Sequence, residues 1–191
     1  MVRAAPPTRR DVSAEKDLAP FIVTAELPAE LAKWATKLRT AYFLPERNYL
    51  KAHVTLFHAL PYFCADEIRA GLAAEAAAEA PVEAELVGLM SLGGGTALKL
   101  ISQSMLDLRD RLADRFHGLL TSQDTHRPRL HVTIQNKVSS KEAKALQAEL
   151  EPQIMPQKFR FAGLGMHIYR GGPWEHVRNY SFRGRGGAFH S

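Results

Sequence analysis

The sequence is poor in cysteine: Cys64 is the only one in 191 residues. A lone thiol excludes an internal disulfide and any zinc cage built on cysteines, and it suits a reducing compartment. Long apolar runs are also missing. No stretch approaches the ~20 consecutive apolar residues that a membrane-spanning helix needs. The opening stretch MVRAAPPTRRDVSAEKD has no apolar centre of the kind a secretion signal carries. The expectation is a cytoplasmic protein that does not touch a membrane. Charge of one sign is not dominant either. Twenty-five Lys and Arg against 20 Asp and Glu leave +5, a weak pull toward an anionic partner. Part of that excess sits at the ends, in Arg3, Arg9 and Arg10 and in Arg178, Arg183 and Arg185. What is abundant is ordinary: 46% hydrophobic and 24% charged residues describe a globular chain, long enough to bury a core without staples.

Residues 1–17 and 184–191 read as flexible ends around a single domain, 18–183. Phe21–Ala25 is a β-branched run and reads as a strand. Pro28 opens a helix with Leu31, Trp34, Leu38 and Tyr42 on one face, ended by Pro45. Residues 49–57 alternate as a strand, and Asp66–Ala80 is rich in helix formers. Two apolar runs, 82–92 and 96–101, meet at Gly93-Gly94-Gly95 and predict a hairpin. The order then recurs: a helix over 103–120, a strand over 129–137, and a helix through Leu150 opened by the Ser139/Glu142 capping box. Three more strands follow over 157–163, 165–170 and 176–182. Helix, strand, helix, hairpin is thus stated twice. The expected fold is α+β, with two pseudo-symmetric lobes, each an antiparallel sheet flanked by helices, facing across a central cleft.

The strands in matching places of the two halves carry the same motif, His53-Val54-Thr55-Leu56 and His131-Val132-Thr133-Ile134. Alternate residues of a strand share a face, so each lobe presents one imidazole and one hydroxyl together. One such motif is ordinary; two in matched positions of a repeat point to a site. Two imidazoles on one cleft can act as a base and an acid, since histidine serves both roles near neutrality. The threonines suit the non-bridging phosphate oxygens. If the strands stay regular, Lys51 and Arg129 extend the same faces as phosphate-attracting cations, and Gln135 extends one toward sugar or base. Phe57 reads as core, and His58 as facing away from His53. Tyr169, beside the Gly171-Gly172-Pro173-Trp174 turn, is a candidate to line a base pocket. The other histidines lack metal-ligand spacing, so neither a metal nor another cofactor is expected.

The motif pair resembles that of the 2H phosphoesterase superfamily, closest to its bacterial 2′-5′ RNA ligase-like branch, also described as RNA 2′,3′-cyclic phosphodiesterases. The resemblance covers roughly residues 18–183. It implies a metal-independent enzyme that hydrolyses 2′,3′-cyclic phosphate ends of RNA or nucleotides to 2′-phosphates, with 2′-5′ ligation as the reverse kind of transfer. It also implies His53 as proton donor and His131 as proton acceptor, roles the pseudo-symmetry of the motifs leaves interchangeable. The partner is then RNA or a nucleotide bearing a cyclic phosphate, and the protein is expected to be a monomer. Two other readings stand beside it: a hydrolase of a small nucleotide such as a 2′-5′ oligonucleotide or an ADP-ribose cyclic phosphate, and a module that binds RNA or nucleotide without catalysis.

Overall fold

The computed structural model of the chain describes residues 19–184. The flexible ends expected at 1–17 and 184–191 lie, apart from Gly184, outside the described residues. Eight strands and four α-helices run in the order β1 (Phe21–Glu26), α1 (Ala29–Tyr42), β2 (Val54–Leu60), α2 (Ala65–Ala78), β3 (Val82–Ser91), β4 (Gly95–Ile101), α3 (Gln103–Arg115), β5 (His131–Asn136), α4 (Ser140–Leu150), β6 (Gln157–Phe161), β7 (Gly163–Tyr169) and β8 (Trp174–Ser181). They form two antiparallel four-stranded sheets, β2-β1-β7-β8 and β5-β4-β3-β6. The repeat therefore interleaves. The first half's hairpin, β3–β4, pairs with the second half's motif strand, while the second half's hairpin, β7–β8, pairs with β1. One continuous buried cluster runs from Val23 and Leu164 of the first sheet to Leu98 and Ile134 of the second.

Local chemistry sets the boundaries. α4 starts where the sequence says: the Ser139 hydroxyl accepts from Glu142 N–H, and the Glu142 carboxylate accepts from Ser139 N–H. α3 stops at Arg115 rather than continuing to 120, because Phe116 caps it and Gly118 turns the chain with φ +84°. β2 begins at Val54 rather than at Tyr49, and β5 at His131 rather than at Arg129.

Both motif strands bulge directly after their threonines. Thr24 and Val23 of β1 oppose Thr55 and Phe57, leaving Leu56 as an extra residue. Thr96 and Ala97 of β4 oppose Gln135 and Thr133, leaving Ile134 extra. The bulges break the alternation, so Phe57 and Gln135 both turn into the core. A second irregularity in β2, between Phe57 and Leu60, frees the N–H groups of His58 and Ala59 from the ladder. Both donate to the carboxylate of Asp124, which is 1% exposed. His58 itself is exposed, with its ring on the same carboxylate. Arg109 of α3 donates to the Asp124 carbonyl and covers the Phe57 ring at 4.6 Å.

A second arginine braces the other strand. Arg39 of α1, 3% exposed, donates from Nη1 to the Thr133 carbonyl at 2.6 Å, from Nε to the Leu50 carbonyl and from Nη2 to Asn48 Oδ1. It thereby ties α1, the segment entering His53, and the residue of β5 that precedes the bulge. Replacing it with a chain of similar bulk leaves two carbonyls without donors. Arg39→Met is expected to lower unfolding stability by about 2 kcal/mol, read from urea midpoints at constant m-value. An unchanged midpoint would show that the brace contributes nothing.

Candidate functional site

The two motif histidines are held in the same way. His53 Nδ1 lies 2.8 Å from the Lys51 carbonyl, and His131 Nδ1 lies 2.7 Å from the Arg129 carbonyl. A carbonyl only accepts, so each ring carries a proton on Nδ1 and leaves Nε2 as the position that can give or take one. This gives positions 51 and 129 a role that any residue's backbone fills. Neither position lies in a strand, so alternation does not orient the two cationic side chains. Lys51 borders the cavity that His53 lines. Arg129 opens instead on a separate cavity of about 760 Å³, with Lys99 and Lys158.

Thr55 and Thr133 are half-buried on the faces of their histidines, and among the described residues neither hydroxyl is engaged by another group. The two imidazoles approach closely enough that a charge on His131 depresses the pKa of His53. Gln135, by contrast, leaves the site. It is 8% exposed, and its Oε1 accepts from the Thr96 hydroxyl in the core beneath α4. The bulge at Ile134 is the physical reason. Tyr169 is exposed and lies outside the cavity beside His53, which is bordered instead by its cross-strand partner Trp174.

Trp174 is one of several site residues that the sequence pattern did not single out. Its ring stands 4.5 Å from that of His53 and 5.6 Å from that of His167, and the His167 and His176 rings are also 5.6 Å apart. Thr24, the register partner of Thr55, donates its hydroxyl to Glu26 Oε1 at 3.2 Å and lies 3.1 Å from His167 Nε2. Gly165 makes room for this group: a Cβ there would meet Thr24 Oγ1 at 2.6 Å and His167 Nε2 at 2.9 Å, and would also strike Glu26. Lys99 is the register partner of His131 and so shares its face. The only sequence signals for these residues were alternation along β1 and β7, and neither strand carries a repeated motif. No group of three His, Cys, Asp or Glu is placed to hold a metal ion among the described residues, and no helix there is long and apolar enough to cross a membrane.

Burial is the main cause that pushes His53 down to about 4, and the charges of Arg39, His167 and His131 add to it against the opposing Lys51 hydrogen bond. His167 is likewise pushed down to about 4, by burial and by His176. Both rings are therefore neutral at pH 7. Unfolded imidazoles take up protons near pH 6.5, whereas these folded ones wait until about 4. Unfolding thus binds protons between those values, so stability is lost as pH falls from about 6.5 toward 4. An NMR titration of the imidazole Hε1 signals is expected to place the His53 midpoint near pH 4. The urea midpoint is expected to drop between pH 7 and pH 5. A His53 midpoint above 6 would contradict the desolvated environment.

A family model of the 2′-5′ RNA ligase superfamily matches residues 27–173, which takes in both His-x-Thr strands. Among solved structures, TT0787 of Thermus thermophilus shares the fold at TM-score 0.58 and 17% identity, over 86% of this chain and 98% of that one. E. coli LigT in complex with 3′-AMP aligns at TM-score 0.58 and 13% identity, over 86% of this chain and 98% of its own. The LigT complex with NADP+ aligns at 0.56 and 12%, over 87% and 99%. At these identities the likeness is one of fold. Among curated proteins no sequence matches significantly. With most of its length matched by that one family model, and both motifs inside the match, the chain belongs to the 2′-5′ RNA ligase superfamily of 2H phosphoesterases.

Proposed function

We propose that this protein is a phosphodiesterase that opens the 2′,3′-cyclic phosphate end of RNA or a nucleotide to a 2′-phosphate, with His53 and His131 as its acid–base pair. The observation that carries the reading is the matched Nδ1–carbonyl anchoring, which leaves both imidazoles with a working Nε2 beside an unengaged threonine hydroxyl. E. coli LigT, alike in fold, occurs in complexes with 3′-AMP, NADP+ and ATP, which supports a nucleotide as the substrate class.

In the proposed reaction the neutral imidazole takes a proton from water as its oxygen bonds to phosphorus. The P–O3′ bond breaks, and the 3′ oxygen takes a proton from the other ring, which is charged at the start. Thr55 and Thr133 hydroxyls donate to the non-bridging oxygens and hold the phosphorus in line. Ligation through a 2′-5′ bond follows the same path with a sugar hydroxyl in place of water. His53, neutral in the free protein, is suited to accept. It becomes a donor, the role the motif resemblance implies, once a phosphate anion raises its pKa.

The test is a short RNA ending in a 2′,3′-cyclic phosphate, incubated in EDTA with the wild type, His53→Ala and His131→Ala. Conversion to a 2′-phosphate is expected, with kcat about 10²–10⁴-fold lower in each variant. Thr55→Val and Thr133→Val, which keep the shape and lose the donor, are expected to cost about 10²-fold. Folded wild-type protein that leaves the end intact would overturn the proposal.

A further inference from the structure

Beside His53, α1 and the β1–β7–β8 face enclose a cavity of about 990 Å³. That is the upper end of the range for small-molecule sites, roughly 300–1,000 Å³, and more than a cyclic phosphate needs. Its two walls differ in chemistry. One is the exposed face of α1, where Lys33 and Lys37 stand one turn apart, joined by Lys51 from the segment leading to His53. Like charges four residues apart on a helix repel, and none of the three lysines has a carboxylate partner among the described residues. The other wall carries the rings of Trp174, His167 and His176. Glu26, half-buried beside Thr24, contributes a carboxyl group to the strand wall and none of the lysine charge.

The lysine wall is coupled tightly to the reacting end. Thr36 lies between Lys33 and Lys37, and its hydroxyl accepts from the Ala52 N–H at 3.0 Å while donating to the Ala32 carbonyl. Ala52 immediately precedes His53. A molecule whose phosphorus lies at the His53 Nε2 therefore has an aromatic surface at hand on one side and three cations one helix face away on the other.

We propose that this cavity holds the terminal nucleoside of the substrate, its base against Trp174, with the phosphate on its 5′ side on Lys33, Lys37 and Lys51. This rests on the cyclic phosphodiesterase reading and narrows it. The preferred substrate is then a nucleotide that carries a phosphate on its 5′ side, either the 3′-terminal nucleotide of an RNA chain or a 5′-phosphorylated mononucleotide, over a free nucleoside cyclic phosphate. The lysines stand on the α1 side of the cavity and not on the strands, and that sets the direction in which the nucleotide lies.

Two measurements separate this inference from the reaction itself. In the first, binding of adenosine 2′-monophosphate and adenosine 2′,5′-bisphosphate is measured by calorimetry, which needs no turnover. The bisphosphate is expected to bind at least 10-fold more tightly, with the advantage shrinking in salt and vanishing in Lys33→Ala/Lys37→Ala. In the second, kcat/KM is compared for adenosine 2′,3′-cyclic phosphate, its 5′-phosphorylated form and the dinucleotide ApA 2′,3′-cyclic phosphate. Both extended substrates are expected to exceed the first about 10-fold. The double lysine variant lowers them to its level and leaves the first within about twofold. A gain confined to the dinucleotide assigns the wall to an internucleotide phosphate; a gain for both assigns it to any 5′ phosphate. Equal affinity of the two adenosine phosphates, or an advantage that survives loss of both lysines, overturns the subsite. Absence of turnover with the bisphosphate preference intact overturns the proposed reaction and leaves the subsite standing. The two lysines are exposed, so the variant is expected to fold, which its urea midpoint verifies.

Discussion

The geometry of the site depends on a buried positive charge that has only neutral partners. Arg39 is pulled out of water by α1, and burial pushes its pKa down to about 10. Its five donors find two carbonyls, an amide oxygen and the face of Phe43 at 4.2 Å. Desolvating a guanidinium costs free energy unless such bonds are made. The chain therefore closes around it in one arrangement, with Leu50 and Thr133 both within its reach. These residues belong to the segments that carry His53 and His131, so one side chain sets the spacing of both motifs. Its unneutralised charge also lies near the place where a phosphate would come.

The opposite motif is held by a different set of groups with the same logic. β2 departs from regular pairing, and the carboxylate of Asp124 takes the two amides this releases. Arg109 then fixes Asp124 from α3 and covers Phe57. In each case a helix reaches across with a buried arginine to the bulged strand, directly onto β5 and through Asp124 onto β2. A bulge aims a side chain by interrupting a ladder, and the interruption survives only where other donors and acceptors replace the lost ladder partners.

This explains which features were legible in the sequence. The two His-x-Thr pairs were visible because they are local: strand periodicity puts both side chains on one face wherever the strand lies. The element order was visible for a similar reason, through the Pro28 start, the Ser139/Glu142 box and the glycine hairpin. The exchange of hairpins between the sheets left no local trace, because β3–β4 and β7–β8 are apolar hairpins that fit either motif strand. Periodicity did not carry beyond the strands themselves. Upstream, 51 and 129 precede the strands: both carbonyls anchor the motif rings, the Lys51 side chain borders the cavity beside His53, and Arg129 borders another. Downstream, the bulges turn Gln135 inward as they turn Phe57. Trp174, His167, Thr24 and Arg39 became site residues only through pairing between distant segments, which no spacing along the chain expresses.

Two identical motifs pose a problem for acid–base chemistry, which needs two unlike groups. The motifs themselves, and the carbonyls that orient the rings, do nothing to tell the histidines apart. Their surroundings do. His53 is packed against Trp174 and beneath the segment tied to α1, with His167 behind it, so its charged form is strongly disfavoured in the free protein. His131 lies opposite Lys99 of β4 and has no aromatic ring against it among the described residues. Environment can push apart the pKa values of chemically identical groups and so divide acid from base. On the proposed reading, this division changes as substrate binds. A phosphate anion entering between the rings stabilises the imidazolium that burial had disfavoured, and the proton His53 then holds is one it readily gives up when the anion's charge moves to the leaving oxygen. On that reading, what divides acid from base comes from Trp174, His167 and α1, outside the repeated motif.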